Sequence, residues 1–239
     1  LLEGKGLLSI VTDPPGAAVF VHRVVERGRR LEEDEGQLFG ATPAKLELPI
    51  GHHLLVLKKD GYRDTRFPVL IARCGREIAK VNLYRADEIG EGFVYVPAGE
   101  FTMGGDAGAS GSVPLCRRYV PDIFVGELPV TFREYAAFLD DIRKAGDPDL
   151  AQCLPRTEKE GECVRMGPAG HFEPASDLID IDPPTRARYP EGFEWDLPIF
   201  AVSWYAAGRY ANWLSERTGR PARRLRDAEW EKAARGGAR

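Results

Sequence analysis

Hydrophobic positions change their period once along this chain. Up to about residue 84 they come as short runs: LLSIV at 7–11, AVFV at 18–21, LELPI at 46–50, LLVL at 54–57, FPVLI at 67–71 and VNL at 81–83. Alternating or continuous runs of this length, broken by turn residues, predict strands. In DPPGA, Pro15 presets φ for the first central position of a turn and Gly16 tolerates the positive φ of the second, which predicts a type II turn. KDGY at 59–62 carries the Asp-Gly signal of a hairpin. Residues 23–36, RVVERGRRLEEDEG, place four arginines ahead of four acids with little apolar periodicity, and predict a long solvated hairpin loop, with a docking element as the alternative. His52 and His53 are adjacent and point to opposite faces of a strand, an arrangement unsuited to joint chelation.

The second half moves to a helical period. Thr131 with Glu134 three residues on forms a capping box, and Val130 with Tyr135 a hydrophobic staple. Tyr135, Phe138, Leu139 and Ile142 then lay one apolar stripe along a helix that Gly146 and Pro148 end. Ser203 caps a second helix with Ala207, Tyr210, Ala211 and Leu214 on its inner row and Gly219 beyond it. Asp227 is read as the cap of a third, with Glu229 and Glu231 near its positive end. The Pro- and Gly-rich stretch 146–198 has few periodic elements and reads as an irregular surface excursion.

Composition narrows the class without choosing a function. With 43% hydrophobic and 29% charged residues in 239, the chain can bury one large core or two modest ones. The net charge of −4 is spread through mixed-sign segments and points away from nucleic acid. No apolar run approaches the roughly 20 residues of a membrane helix, and the start has neither a basic leader nor a cleavage site, so the expectation is a cytoplasmic protein without membrane contact. Cys74, Cys116, Cys153 and Cys163 form no CxxC pair; Cys153 and Cys163 are read as free thiols or as one disulfide. Core packing is the expectation for Trp195, Trp204, Tyr205, Trp213 and Trp230, with a stacking platform as the alternative. Arg217, Arg220, Arg223, Arg224 and Arg226 precede Asp227, Glu229 and Glu231, which predicts a salt-bridged solvated surface rather than a phosphate site.

Two resemblances organise these signals. GLLSIVTDPPGAAVFV followed by GATPAKLELPIGHHLLVLKKDGYRD resembles a PEGA domain through Pro15, Gly16, Ala17, Gly40, Thr42, Pro43, Gly51, His52, Gly61 and Tyr62, with residues 23–36 as an insertion. That resemblance implies a small β-sandwich-like binding or spacer unit over residues 1–86. FVYVPAGEFTMGG, ELPVTFREYAAFL, LPIFAVSWYAAGRYANWL and RLRDAEWEKAARGG, in that order, resemble the first half of a formylglycine-generating-enzyme (sulfatase-modifying factor) domain over residues 87–239. The fold implied is irregular α/β, C-type-lectin-like and, as written, incomplete, because the family's catalytic cysteines and calcium ligands belong to its second half. The usual Leu-Pro-Thr-Glu before the Glu-Trp-Glu block is replaced by Arg224, Leu225, Arg226 and Asp227. The order of the two modules is similar to C-terminal regulatory regions of bacterial serine/threonine kinases, yet the chain has no Gly-rich phosphate loop and no His-Arg-Asp catalytic loop.

The reading that follows is a non-catalytic interaction region of a kinase-associated bacterial signalling protein. No catalytic, cofactor-binding or metal-ligating residue is assigned, and calcium is left to the complete domain. The first alternative is a fragment of a formylglycine-generating or iron-dependent oxidoreductase. The second is a protease substrate cut in its Gly-rich end, at Gly236, Gly237 and Arg239, whose halves stay associated. The partners expected are the domain's remaining half, a protein or a protease. Helices bearing Phe138, Leu139, Tyr210, Leu214 and Trp230 are expected to leave those side chains uncovered until that remaining half packs on them.

Overall fold

In the computed structural model, which describes residues 4–28, 30–157, 161–175 and 182–235, each of the six apolar runs lies on a strand. The first half contributes β1 (Lys5–Asp13), β2 (Ala18–Arg27), β3 (Arg30–Glu33), β4 (Gln37–Ala41), β5 (Ala44–Pro49), β6 (Gly51–Lys58), β7 (Thr65–Ile71) and β8 (Arg76–Asn82). One sheet has the order β5-β1-β8, with β5 antiparallel and β8 parallel to β1. The other has the antiparallel order β3-β2-β6-β7, and β4 also pairs with β2. Period-two alternation sends Leu8, Ile10, Leu46, Leu48, Ala79 and Val81 from the first sheet into one core with Val19, Val21, Leu55, Leu57 and Ile71 from the second. The central strand β6 is buried on both faces from His53 to Leu57, which explains its unbroken apolar run.

Turn chemistry follows the sequence at two points. Gly16 has φ of 87°, and the N–H groups of Gly16 and Ala17 donate to Thr42 Oγ1 at 3.2 and 3.0 Å. Gly61 has φ of 80° in the connection between the antiparallel strands β6 and β7. The stretch 23–36 departs from expectation. β2 continues to Arg27, turns at Gly28 (φ 57°) and pairs with β3 from Val24↔Glu33 to Arg27↔Arg30, so an ordered hairpin extension replaces the loop. The β-branched Val24 and Val25 favour this backbone, and Arg27 pairs with Glu32 and Asp34 at 3.6 and 3.0 Å. Those exposed ion pairs contribute at most about 1 kcal/mol each.

Further along lie α1 (Ala86–Ile89), β9 (Phe93–Val96), β10 (Gly99–Met103), β11 (Cys116–Val120), β12 (Ile123–Gly126), α2 (Phe132–Lys144), α3 (Leu150–Cys153), β13 (Val164–Met166), β14 (Phe172–Pro174), α4 (Pro183–Arg186), a 3-10 turn (Phe193–Asp196), α5 (Trp204–Thr218) and α6 (Asp227–Arg235). Contacts divide the chain into two compact units, Leu1–Glu127 with Leu225–Arg239, and Leu128–Arg224. The module boundary read near residue 86 falls inside the first of them. There β9 pairs with β12 and β10 with β11, and Phe101, Val120 and Ile123 pack with Val96, Met103, Leu225 and Ala228.

In the second unit the capping box forms as read: Thr131 Oγ1 accepts the Glu134 N–H, and the Glu134 carboxylate accepts the Thr131 N–H at 2.8 Å. Ser203 caps α5 by accepting the Ala206 N–H, and Gly219 closes it with φ of 67°. Its buried row is Ala206, Tyr210 and Ala211, a shift from Ala207. The expected uncovered stripes hold at Trp230, which is exposed, and need correction at the other four positions. Phe138 and Leu139 are fully buried and Tyr210 is 8% exposed, packed with Cys153, Cys163, Val164 and Phe172. The cover comes from the stretch that had no period, through α3 and the β13–β14 hairpin. All four cysteines are free, which resolves the Cys153–Cys163 alternative in favour of thiols.

Candidate binding site

Two places hold side chains that packing alone does not use, one in each unit. In the first unit, Asp122 sits between β11 and β12 and its carboxylate accepts four hydrogen bonds. Asn82 Nδ2 and the Tyr84 hydroxyl donate to Oδ2 at 2.6 and 3.1 Å, while the Tyr95 hydroxyl and the Ala98 N–H donate to Oδ1 at 2.7 and 2.6 Å. Burial and the neighbouring carboxylate together hold the Tyr95 phenol far above its ordinary range. The rings of Tyr84, Tyr95 and Phe124 close round it edge to face, with Tyr84 centred 4.9 Å from each of the other two.

Beside this hub, α6 holds the segment 97–104 with three long side chains. Lys232 Nζ donates to the carbonyls of Pro97 and Gly99 at 2.5 and 3.1 Å. Glu231 Oε1 accepts the Gly104 N–H at 2.8 Å and pairs with Arg235 at 3.0 Å, while Arg235 Nη1 donates to the Gly104 carbonyl at 3.0 Å. Burial pushes the Lys232 ammonium down to about 8 from 10.5, with Asp122 opposing the shift. The start of α6 differs from the sequence reading. Asp227 is its first helical residue, and the Glu229 carboxylate closes the turn by accepting the Arg226 N–H at 2.8 Å. Sequence reasoning missed Lys232, although its spacing of four from Ala228, which packs into the small core, was a usable signal.

In the second unit the aromatic residues separate. Trp195 and Trp213 are half-buried and pack on the helical core as read. Trp204 is 76% exposed with Tyr205 exposed beside it, and in the first unit Trp230 is 65% exposed, so core packing is corrected for all three. Trp204 opens α5, where the helix has made only its first turn, and one face of its ring is covered by the Arg224 guanidinium at 3.8 Å. The Tyr205 hydroxyl donates to Asp149 Oδ2 at 2.7 Å. Arg217, expected to answer the acids that follow it, pairs with Asp141 at 3.1 Å and lies over Trp213. Trp204, Tyr205 and Arg224 thus present a partly preorganised aromatic and cationic surface.

Nucleophile and metal chemistry find little support in the remaining groups. Burial pushes the thiols of Cys153 and Cys163 up, away from thiolate. Among the described residues no three His, Cys, Asp or Glu side chains gather as a metal site. Two partly or fully buried carboxylates, Asp122 and Asp140, are engaged by donors: Asp140 accepts the Phe172 N–H at 3.0 Å and meets His171 Nδ1 at 2.8 Å. This donor set does not fit calcium. His53 is buried with Nε2 on the Pro49 carbonyl at 2.9 Å, while His52 is exposed. Gly236, Gly237 and Arg239 lie outside the described residues. Among the described residues no helix is long and apolar enough to cross a membrane.

Comparison with known proteins bears on residues 81–239, which match the family model of the sulfatase-modifying factor enzyme 1-like domain. The chain is similar to the serine/threonine-protein kinase Pkn1 of Chlamydia trachomatis, 27% identical over 144 residues, covering 60% of this chain and 19% of that kinase. It is also similar to the formylglycine-generating enzyme of Thermomonospora curvata, 29% identical over 172 residues, covering 63% of this chain and 50% of that enzyme. The chain therefore spans half or less of the curated relatives it matches.

Proposed function

Since the chain belongs to the family of sulfatase-modifying factor enzyme 1-like domains, we propose that it serves as a non-catalytic binding region of a multidomain bacterial signalling protein associated with a kinase. The observation that carries this reading is the kinase match. It extends over 144 residues of a chain without a Gly-rich phosphate loop or a His-Arg-Asp loop, so the likeness lies outside phosphoryl-transfer chemistry. The side chains support it. Cys153 and Cys163 are core thiols, whereas Trp204, Tyr205 and Arg224 face outward in a combination typical of recognition surfaces.

The similarity to a formylglycine-generating enzyme favours a second reading, in which these residues belong to an oxidoreductase. One experiment separates the two. The purified chain is incubated aerobically with a cysteine-bearing sulfatase peptide, with and without added calcium or iron, and the peptide is followed by mass spectrometry. The binding-region reading expects the cysteine to stay intact; conversion to the aldehyde overturns it.

A further inference from the structure

A cleft of about 160 Å³ opens on the first unit between β7 and the segment 95–100. Its walls include Phe67, Pro68, Tyr95 and Val96, and Lys232 lines it. The charge at this place is unusual. Lys232 is 6% exposed, and its two hydrogen-bond acceptors, the carbonyls of Pro97 and Gly99, are neutral. An ammonium has three protons, so one remains without a protein acceptor. Among the described residues no carboxylate lies within ion-pairing distance of it. Asp122, whose four hydrogen-bond donors are all neutral, still acts on Lys232 through its charge from beyond ion-pairing distance, while Glu100, which lines the cleft, pairs with Arg117 at 2.9 Å. Arg66, the other cation lining the cleft, is held by Glu33.

An ammonium withdrawn from water gains from an anion in direct contact, and Lys232 has none at that distance among the described residues. A purely structural lysine, tying α6 to two carbonyls, accounts for two of its protons. It does not account for the apolar-walled cleft that Lys232 lines. Gly99, in the wall of the cleft, has φ of 150°, a conformation that side-chain-bearing residues rarely adopt.

We propose that this cleft binds a small carboxylate with an apolar body, its anionic end paired with Lys232 and its body held between Phe67, Pro68, Tyr95 and Val96. The volume suits a single ring or a short branched chain, since an apolar cavity of about 150 Å³ holds benzene. Binding supplies a direct ion-pair partner, which Asp122 does not, and draws on the protonated lysine. It is therefore strongest below about pH 8 and fades above it. The site is separate from the Trp204 surface and goes beyond the binding-region reading.

Benzoate is the probe. The full chain, labelled with nitrogen-15, is titrated at pH 7, and the amides of Ala98, Gly99 and Glu100 are followed by NMR. The expected result is saturable shifts confined to these residues and their neighbours, with affinity about 30-fold lower at pH 9.5, as the protonated fraction of a lysine titrating near 8 dictates. Benzamide, a neutral probe of the same shape, is expected to leave the spectrum unchanged, and Lys232→Met to abolish the benzoate response. Equal binding of benzamide, an affinity independent of pH, or no response to benzoate overturns the proposal. The benzamide and pH arms use the unaltered chain, so they decide the matter even if Lys232→Met fails to fold.

Discussion

Leu55 in the β core and Phe138 in the helical core are both sealed from solvent, but by different kinds of neighbour. Leu55, on the doubly buried strand β6, is enclosed by residues of regular strands, several of which alternate, as β1 and β5 do, so its surroundings are readable from the strand runs. Phe138 is enclosed by α5, by thiols at the end of α3 and just before β13, and by Phe172 on β14, which is three residues long. Regular cover and irregular cover bury side chains equally well. They differ in how much of the core hangs on single residues, because a three-residue strand has no neighbouring repeat to share a loss.

Phe138→Ala should break the helical core at a cost of about 3–5 kcal/mol. Hydrogen exchange should show α2 and α5 opening while the amides of β1 and β6 keep their protection. An equal loss of protection in β1 and β6 would show that the two cores melt together and erase the contrast.

The next effect lies in pH. Lys232 titrates near 8 when folded and near 10.5 when unfolded, so between these values the unfolded chain binds more protons and stability rises with pH. The gain should reach about 3 kcal/mol at pH 10.5 relative to pH 7 for this group alone. In Lys232→Met, denaturant midpoints measured across that range should lose this slope.

Thr42→Val strips the acceptor from the Gly16 and Ala17 N–H groups and the donor from Thr12 Oγ1, whose own proton goes to the Pro14 carbonyl, and should cost about 2 kcal/mol in the regular core. Thr131→Ala removes one capping bond from α2 and should cost about 1 kcal/mol in the irregular one. Chemical denaturation of the pair tests whether the turn matters more than the cap. A cap effect above the turn effect would mean that α2 carries more of its unit than its packing implies.

Legibility tracked periodicity. The six strand runs, the Thr131 box and the Ser203 cap were all visible, because each is a local device with a fixed spacing. The family was visible through four separated blocks. What escaped was cover and orientation. Nothing in the spacing of Cys153, Cys163 and Phe172 announces that they seal Phe138, since that contact joins residues from irregular segments. Trp204 looked like core by type, and only three-dimensional placement shows it outside under Arg224. Lys232 was hidden for the opposite reason, as a charged residue assigned to solvent by habit.

Asp122 carries a further consequence, for how such a chain can change over generations. Its carboxylate takes donors from Asn82 and Tyr84 on one side of residue 86 and from Tyr95 and Ala98 on the other. A recombination that exchanged the leading β module for another would leave half of those lone pairs dry unless the newcomer brought an amide and a phenol to the same place. The joint thus sets a condition on any segment spliced in ahead of residue 86, which is expected to keep this hub only if it brings both donors.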